Sequence, residues 1–177
     1  KGKTYYYSID PLGKDGKAAG KSNRTSAKCR PSLEDSQCQV TLSKTSYTYN
    51  GKAKKPEVTV TYDGKKLKKN KDYTVLYGGN KNAGTASVKV SGKGSYGGLV
   101  RLSFTIKKAK QTVKASSAKT VYRNGIYTLK ASAKGKISYV SSDLSVASVK
   151  NGKLYLKGPG TAKITVKAKA TGNYQAA

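Results

Sequence analysis

The stretch VTVTYDGKKLKKNKDYTVLYGGNKNAGTASVKV, residues 58–90, decides the fold. Val58–Tyr62 alternates apolar and polar residues and ends at Asp63-Gly64, a pair that favours a type I′ turn. Residues 73–77 and 86–90 repeat the alternation beside glycine-containing turns, and no helical period intervenes. The pattern therefore predicts antiparallel strands that bury one face.

The same alternation continues on both sides of this stretch. Residues 40–42 begin a strand, and residues 102–106 close a unit that spans 40–108. A further unit, 109–177, contains Lys150-Asn151-Gly152-Lys153 between two alternating runs, which is the strongest hairpin signal in the chain. Short strands separated at regular intervals by turn residues are typical of β-sandwiches. We therefore predict an all-β fold.

Two shorter segments precede these units. In residues 1–29, Tyr5, Tyr7 and Ile9 share one face of a predicted strand, and a return strand follows a glycine-rich turn. A two-stranded hairpin is marginal in water by itself, so we expect it to need packing partners. Residues 30–39 have no apolar period, and we interpret them as a linker.

The stretch GKTYYYSIDPLGKDGKAAGKSNRTSAKC, residues 2–29, resembles the last two strands of a fibronectin type III domain, as found in surface proteins of Gram-positive bacteria. The resemblance implies that Tyr5 occupies the tyrosine-corner position of such β-sandwiches. The earlier strands of that domain have no counterpart here. We therefore expect either a domain cut part-way through or a hairpin docked on the next unit.

Turn and aromatic residues mark positions 47–106: Tyr49, Asn50-Gly51, Pro56, Asp72-Tyr73, Tyr77, Asn80, Ala83-Gly84-Thr85, Gly92, Gly94, Tyr96-Gly97-Gly98 and Phe104. This set resembles a bacterial immunoglobulin-like repeat of the MBG-like type, which occurs in tandem on secreted and wall-attached proteins. The resemblance implies a sandwich fold and a spacer or adhesive role, without catalytic residues.

A second set of residues marks the last unit: Ser141-Ser142-Asp143, Val146-Ala147-Ser148-Val149, Gly152 and Gly158-Pro159-Gly160-Thr161-Ala162-Lys163-Ile164-Thr165-Val166. It resembles the group 2 bacterial immunoglobulin-like family of intimin-type and other surface adhesins, although the lead into Gly158 is shorter than in many members. Together the resemblances imply tandem immunoglobulin-like antiparallel β-sandwiches in an extracellular protein, either surface-attached or secreted.

Composition limits the chemistry that the 177 residues can perform. The chain has no His, which excludes a Ser-His-Asp triad, a Cys-His dyad and an imidazole metal site. Its eight Asp and Glu residues are scattered, without the spacing of a calcium loop. No strand-to-helix nucleophile elbow occurs. We therefore predict a protein that is not an enzyme and uses no cofactor or metal.

The strongest compositional feature is a net charge of +28, from 36 Lys and Arg residues of which only four are Arg. Such a surface attracts polyanions, including teichoic acids, anionic glycans and nucleic acid. Dense lysine is also explained by solubility or by charge balance against an acidic remainder of a longer protein. The candidate polyanion contacts are Lys54, Lys55, Lys65, Lys66, Lys68, Lys69 and Lys71.

The two cysteines, Cys29 and Cys38, are separated by eight residues. Without nearby His they are poor zinc ligands, and a disulfide that closes this short loop suits an extracellular protein. The alternative is a pair of free thiols in the linker. We predict the disulfide.

These observations favour a noncatalytic stalk or adhesion module that spaces a surface protein and attaches to anionic wall polymer or to host glycan or protein. Neighbouring domains of a longer chain are expected partners. An accessory region that tethers a secreted hydrolase near its substrate is the alternative. A nucleic-acid binder ranks lower, because the tyrosines beside the lysines fall at inward or edge positions of strands. No apolar stretch is long enough for membrane insertion.

Overall fold

A computed structural model describes residues 4–7, 14–15, 25–28, 30–117 and 125–177. These residues contain strands and no helix, so the predicted all-β class is confirmed. The first nine strands are β1 Thr4–Tyr7, β2 Thr25–Lys28, β3 Cys38–Leu42, β4 Ser46–Thr48, β5 Val58–Tyr62, β6 Lys65–Lys66, β7 Tyr73–Gly78, β8 Gly84–Gly92 and β9 Leu99–Lys107. The remaining seven are β10 Lys114–Ala115, β11 Ile126–Thr128, β12 Ala131–Ser132, β13 Ile137–Ser141, β14 Ala147–Lys150, β15 Lys153–Leu156 and β16 Ile164–Ala168.

The chain divides into two compact units. Unit 1 comprises residues 1–45, 55–78 and 86–104, and unit 2 comprises residues 46–54, 79–85 and 105–177. In unit 1, β1 and β2 pair antiparallel, as their sequence pattern indicates. The predicted module boundaries and the resemblance to immunoglobulin-like and fibronectin domains remain predictions.

Unit 1 buries the inward face that alternation predicts. On β5, Val58 and Val60 are buried, and on β8, Ala86, Val88 and Val90 are buried at the same period of two. Each fully buried Val contributes about 1.5–3 kcal/mol relative to an exposed one. Strands β3, β5 and β6 form one sheet, in which β3 and β5 pair antiparallel over five residues.

The remaining sheet with strands from unit 1 has the order β4-β9-β8-β7. Strands β7 and β8 pair antiparallel, from Tyr73 opposite Gly92 to Gly78 opposite Ser87. Strand β4 instead pairs parallel with Thr105–Lys107 of β9, an exception to the predicted antiparallel pairing. Parallel neighbours need a long connection, and fifty residues separate these two strands in sequence. Hairpin signals report only short connections and so do not reveal this pair.

Two turns that residue identity predicts are formed. Asp63 and Gly64 have φ values of 49° and 73°, and Asn151 and Gly152 have φ values of 51° and 73°. Positive φ at both central residues defines a type I′ turn, whose twist matches the strands that it joins. The flanking pairs are Tyr62 opposite Lys65 in unit 1 and Lys150 opposite Lys153 in unit 2.

The strands from β10 to β16 lie in unit 2. Strands β11, β15 and β14 form one sheet in that order, β13 pairs with β16, and β10 pairs with β12, all antiparallel. Ala147, Leu154 and Ala168 are buried among them. A cavity of about 510 Å³ is lined mainly by apolar side chains of this region, including Leu154, Ile164 and Val166.

Candidate polyanion-binding surface

Five of the candidate lysines form one short, exposed stretch of unit 1. We call Lys65, Lys66, Lys68, Lys69 and Lys71 the lysine ridge, and all five are exposed. The ridge begins on β6, which pairs with the end of β5. Leu67 anchors its middle, because this side chain is only 3% exposed and its N–H donates to Val60 O at 2.9 Å. One buried leucine thus holds the lysines on either side of it at the surface.

The loop that follows Leu67 is held by hydrogen bonds among its own residues. Asp72 accepts the N–H of Lys68 with its carboxylate at 2.7 Å and donates its own N–H to Lys68 O at 2.8 Å. Asn70 has a φ of 68° and donates its N–H to Tyr73 O at 2.7 Å. Asn tolerates this left-handed conformation better than most residues do. The carboxylate of Asp72 therefore caps the backbone of the ridge.

Lys93 closes the same loop from the turn after β8. Its Nζ donates to Asn70 O at 2.9 Å, and its N–H donates to Asp72 O at 2.8 Å. The side chain is exposed and adds a sixth ammonium group beside the ridge. Sequence reasoning missed Lys93, because twenty or more residues separate it from its partners. The only local signal was its place between Gly92 and Gly94 in a predicted turn.

The geometry favours electrostatic attraction over shape recognition. Six ammonium groups on one loop and one adjoining turn raise the local positive potential within a Debye length of about 8 Å at physiological salt. Lysine is a compact point charge without the planar fork that arginine offers to phosphate. The geometry of such a surface suits a flexible chain of anionic groups in many registers, and electrostatic attraction of this kind falls steeply with added salt.

The other two candidate lysines are placed differently. Lys54 is half-buried, and its Nζ lies 6.0 Å from the centroid of the Tyr47 ring and donates to Asn50 Oδ1. Its ammonium is therefore engaged within unit 2. Lys55 is exposed and belongs to unit 1. Their role in polyanion binding remains a prediction.

The tyrosines near these lysines, Tyr62 and Tyr73, are engaged in hydrogen bonds and ring contacts within the fold. Tyr73 is 3% exposed and donates its hydroxyl to Val58 O at 2.9 Å, and burial raises its pKa above the ordinary value. Tyr62 donates its hydroxyl to Asp35 Oδ2 at 2.9 Å, and this bond raises the pKa of Tyr62. The rings of Tyr62 and Tyr96 pack edge to face at 5.6 Å. Bases of a single strand would find few open rings here on which to stack.

Cys38 opens β3 and is half-buried. Burial raises the pKa of its thiol, and the nearby carboxylate of Asp35 adds to the effect. Cys29 lies outside the described residues. The disulfide between the two cysteines therefore stays a prediction.

Other kinds of site have little support in the described residues. Within 4–7, 14–15, 25–28, 30–117 and 125–177, no group of three or more His, Cys, Asp or Glu side chains is arranged to hold a metal ion. The same residues include no helix with the length and apolar character that a membrane crossing requires. The cavity in unit 2 is lined mainly by apolar side chains, among them Leu154, Leu156 and Ile164.

A comparison of the chain with protein-family models, curated proteins and solved structures finds no match. The resemblances to fibronectin type III, MBG-like and group 2 immunoglobulin-like domains therefore depend only on the residues quoted for them. The geometry of the lysine ridge is the strongest basis for a function.

Proposed function

We propose that this chain is a noncatalytic stalk or adhesion region of a bacterial surface or secreted protein, which attaches to anionic polymers through the lysine ridge. The ridge carries the proposal, because five exposed lysines follow one another on a backbone that Leu67 and Asp72 hold in place. Preorganised charges attract an anion without a further ordering cost in the backbone. The expected partner is an anionic wall polymer or an anionic host glycan.

Tandem β-sandwiches of the immunoglobulin-like type would supply the spacing part of this role. The all-β architecture and the two type I′ hairpins are compatible with such modules. Weak contacts repeated along a surface add up through effective concentration, so modest affinity at one ridge suffices for attachment. Specific recognition of nucleic acid ranks lower, because Tyr62 and Tyr73 are engaged by Asp35 and Val58.

A panel of polymers tests this proposal. We titrate the full chain against teichoic acid, heparin, mucin glycans, and single- and double-stranded DNA. Each titration is done at about 50 and 300 mM salt, one concentration below and one above the physiological ionic strength. The proposal expects every polyanion to bind at low salt and to lose most of its affinity at high salt. Retention of DNA alone at high salt would replace the proposal with a nucleic-acid binder.

A further inference from the structure

The loop after β4 contains an asparagine in an unusual electrostatic setting. Asn50 is exposed and is followed by Gly51, whose φ is 79°. Its side-chain Oδ1 accepts two hydrogen bonds, one from the N–H of Lys52 at 3.1 Å and one from the ammonium of Lys54. A carboxamide oxygen that accepts an N–H and an ammonium is polarised, and its carbonyl carbon becomes more electrophilic.

Lys54 is held in this position by contacts of its own. Its N–H donates to Asn80 O at 2.7 Å, and its carbonyl accepts the side-chain amide of Asn80, also at 2.7 Å. The ammonium lies over the Tyr47 ring, an arrangement that cation–π attraction favours. The two backbone hydrogen bonds and the ring contact restrict the conformations that this long side chain can adopt, so the ammonium stays near Asn50.

We propose that Asn50 is a site of accelerated self-modification, in which the Gly51 nitrogen attacks Asn50 Cγ. The bond between that nitrogen and Cγ forms, the bond between Cγ and Nδ2 breaks, and ammonia leaves with a proton from water while solvent hydroxide removes the Gly51 proton. Water then opens the succinimide at either carbonyl and leaves aspartate or isoaspartate. The reaction involves no change of oxidation state and needs only water.

The same hydrogen bonds that polarise Asn50 stabilise the intermediate of this reaction. When the Gly51 nitrogen adds to Cγ, negative charge develops on Oδ1, where the Lys52 N–H and the Lys54 ammonium already point. Preorganised donors of this kind accelerate acyl transfer. The bond from Lys52 N–H also folds the carboxamide over the intervening peptide of Gly51, and glycine places no Cβ in the path of attack.

The chain contains its own control, because Asn151-Gly152-Lys153 repeats the three residues of Asn50-Gly51-Lys52. Asn151 lies in the type I′ turn between β14 and β15, with a φ of 51°. Among the described residues, none donates a hydrogen bond to the Asn151 side chain. Identical local sequence gives the two sites the same intrinsic reactivity, so a difference between them reports the folded surroundings.

The test follows both sites in the full chain during incubation at mildly alkaline pH. Proteolytic peptides are separated, and mass spectrometry measures the conversion of Asn50 and Asn151 to acid and to isoaspartate. We expect Asn50 to react about tenfold faster than Asn151, less than the ~10²–10³ of an enclosed oxyanion site because Asn50 is exposed. In denaturant the ratio should approach one. A folded ratio of one or below would overturn the proposal.

Substitution of the lysine separates its charge from the turn. Lys54→Gln should slow Asn50 several-fold and leave Asn151 unchanged, whereas Lys54→Arg should retain most of the acceleration. The Asn50-to-Asn151 rate ratio of the wild-type protein, measured folded and in denaturant, tests the proposal even if neither variant folds. An unchanged Asn50 rate in a folded Lys54→Gln variant would show that the ammonium has no part in the reaction.

Discussion

Unit 1 and unit 2 are built from the same local pattern, but among the described residues unit 1 buries more apolar side chains than unit 2 does. Both use short alternating strands and a type I′ hairpin. Among the described residues of unit 1, the buried apolar side chains are Leu33, Pro56, Val58, Val60, Leu67, Tyr73, Ala86, Val88, Val90 and Phe104. Those among the described residues of unit 2 are Ile106, Ala147, Leu154 and Ala168, and a cavity of about 510 Å³ lies in this unit. Alternation therefore specifies which face turns inward, but it does not specify how densely that face packs.

The largest expected contrast comes from truncating one core residue in each unit. Phe104→Ala in unit 1 should cost about 3–5 kcal/mol in free energy of unfolding, because this side chain is only 2% exposed and its removal leaves a cavity that a close-packed interior fills only in part. Leu154→Ala should cost about 2 kcal/mol, since Leu154 already borders the cavity. Urea denaturation combined with hydrogen exchange of peptides from each unit measures both values. Equal losses would mean that the two cores are equally dense.

Enlarging a buried side chain should change the stability of the two units in opposite directions. Ala86 on β8 is fully buried in unit 1, whereas Ala147 on β14 lines the cavity of unit 2. Ala86→Val should destabilise by about 1–3 kcal/mol through overpacking, and Ala147→Val should stabilise by up to about 1 kcal/mol by filling space. Valine suits a strand at both positions. Thermal unfolding followed by circular dichroism reads out the two shifts, and a loss of stability in both variants would refute the contrast.

The turns are where the two units should behave alike. Gly64 and Gly152 share a φ of 73°, and the space around each admits a methyl group. Gly64→Ala and Gly152→Ala should each cost about 1–2 kcal/mol, because the left-handed conformation crowds a Cβ against the backbone. The same denaturation experiment measures both. A difference larger than about 1 kcal/mol would show that the turns are not equivalent.

The smallest expected effects appear at opposite ends of the pH range. In unit 1, burial raises the pKa of Tyr73, so the folded state favours the neutral phenol and loses stability as pH rises above about 10. In unit 2, hydrogen bonds from Ser145 lower the pKa of Asp143, so stability is present above about pH 4 and is lost as pH falls below it. Hydrogen exchange of each unit across pH measures the two losses.

Two substitutions serve as controls for the pH dependence. Tyr73→Phe should remove part of the alkaline loss in unit 1, and Ser145→Ala should weaken the acid dependence in unit 2 by removing the hydroxyl bond to Asp143. If unit 1 were the more acid-sensitive unit and unit 2 the more alkali-sensitive one, the assignment of these groups would be wrong.

Local features of this fold were predictable from the sequence, and long-range ones were not. The turns at Asp63-Gly64 and Asn151-Gly152 follow from residue types that accept positive φ, so adjacent letters suffice. The parallel pairing of β4 with β9 depends on contacts between segments far apart in the chain, and no short pattern encodes it. A hairpin signal reports which strands are neighbours only when their connection is short.

The candidate site divides in the same way. The five lysines of the ridge were visible as a run in the sequence, whereas the burial of Leu67 between them was not predicted. Their support by Asp72 and Lys93 was not visible, because it depends on the Asn70 backbone and on a turn from another strand. The position of Lys54 beside Asn50 was hidden for a similar reason, since Asn80, which holds the backbone of Lys54, is distant in sequence.

The most direct test of the central claim compares two variants of equal charge. One replaces the five lysines of the ridge with Gln, and its control replaces five exposed lysines dispersed over unit 2, Lys130, Lys136, Lys153, Lys163 and Lys167. Both lose five positive charges from +28. Heparin binding near physiological salt should weaken by about tenfold or more in the ridge variant and by no more than about threefold in the control. Equal weakening in the two variants would contradict the account, because total charge alone would then explain the attraction.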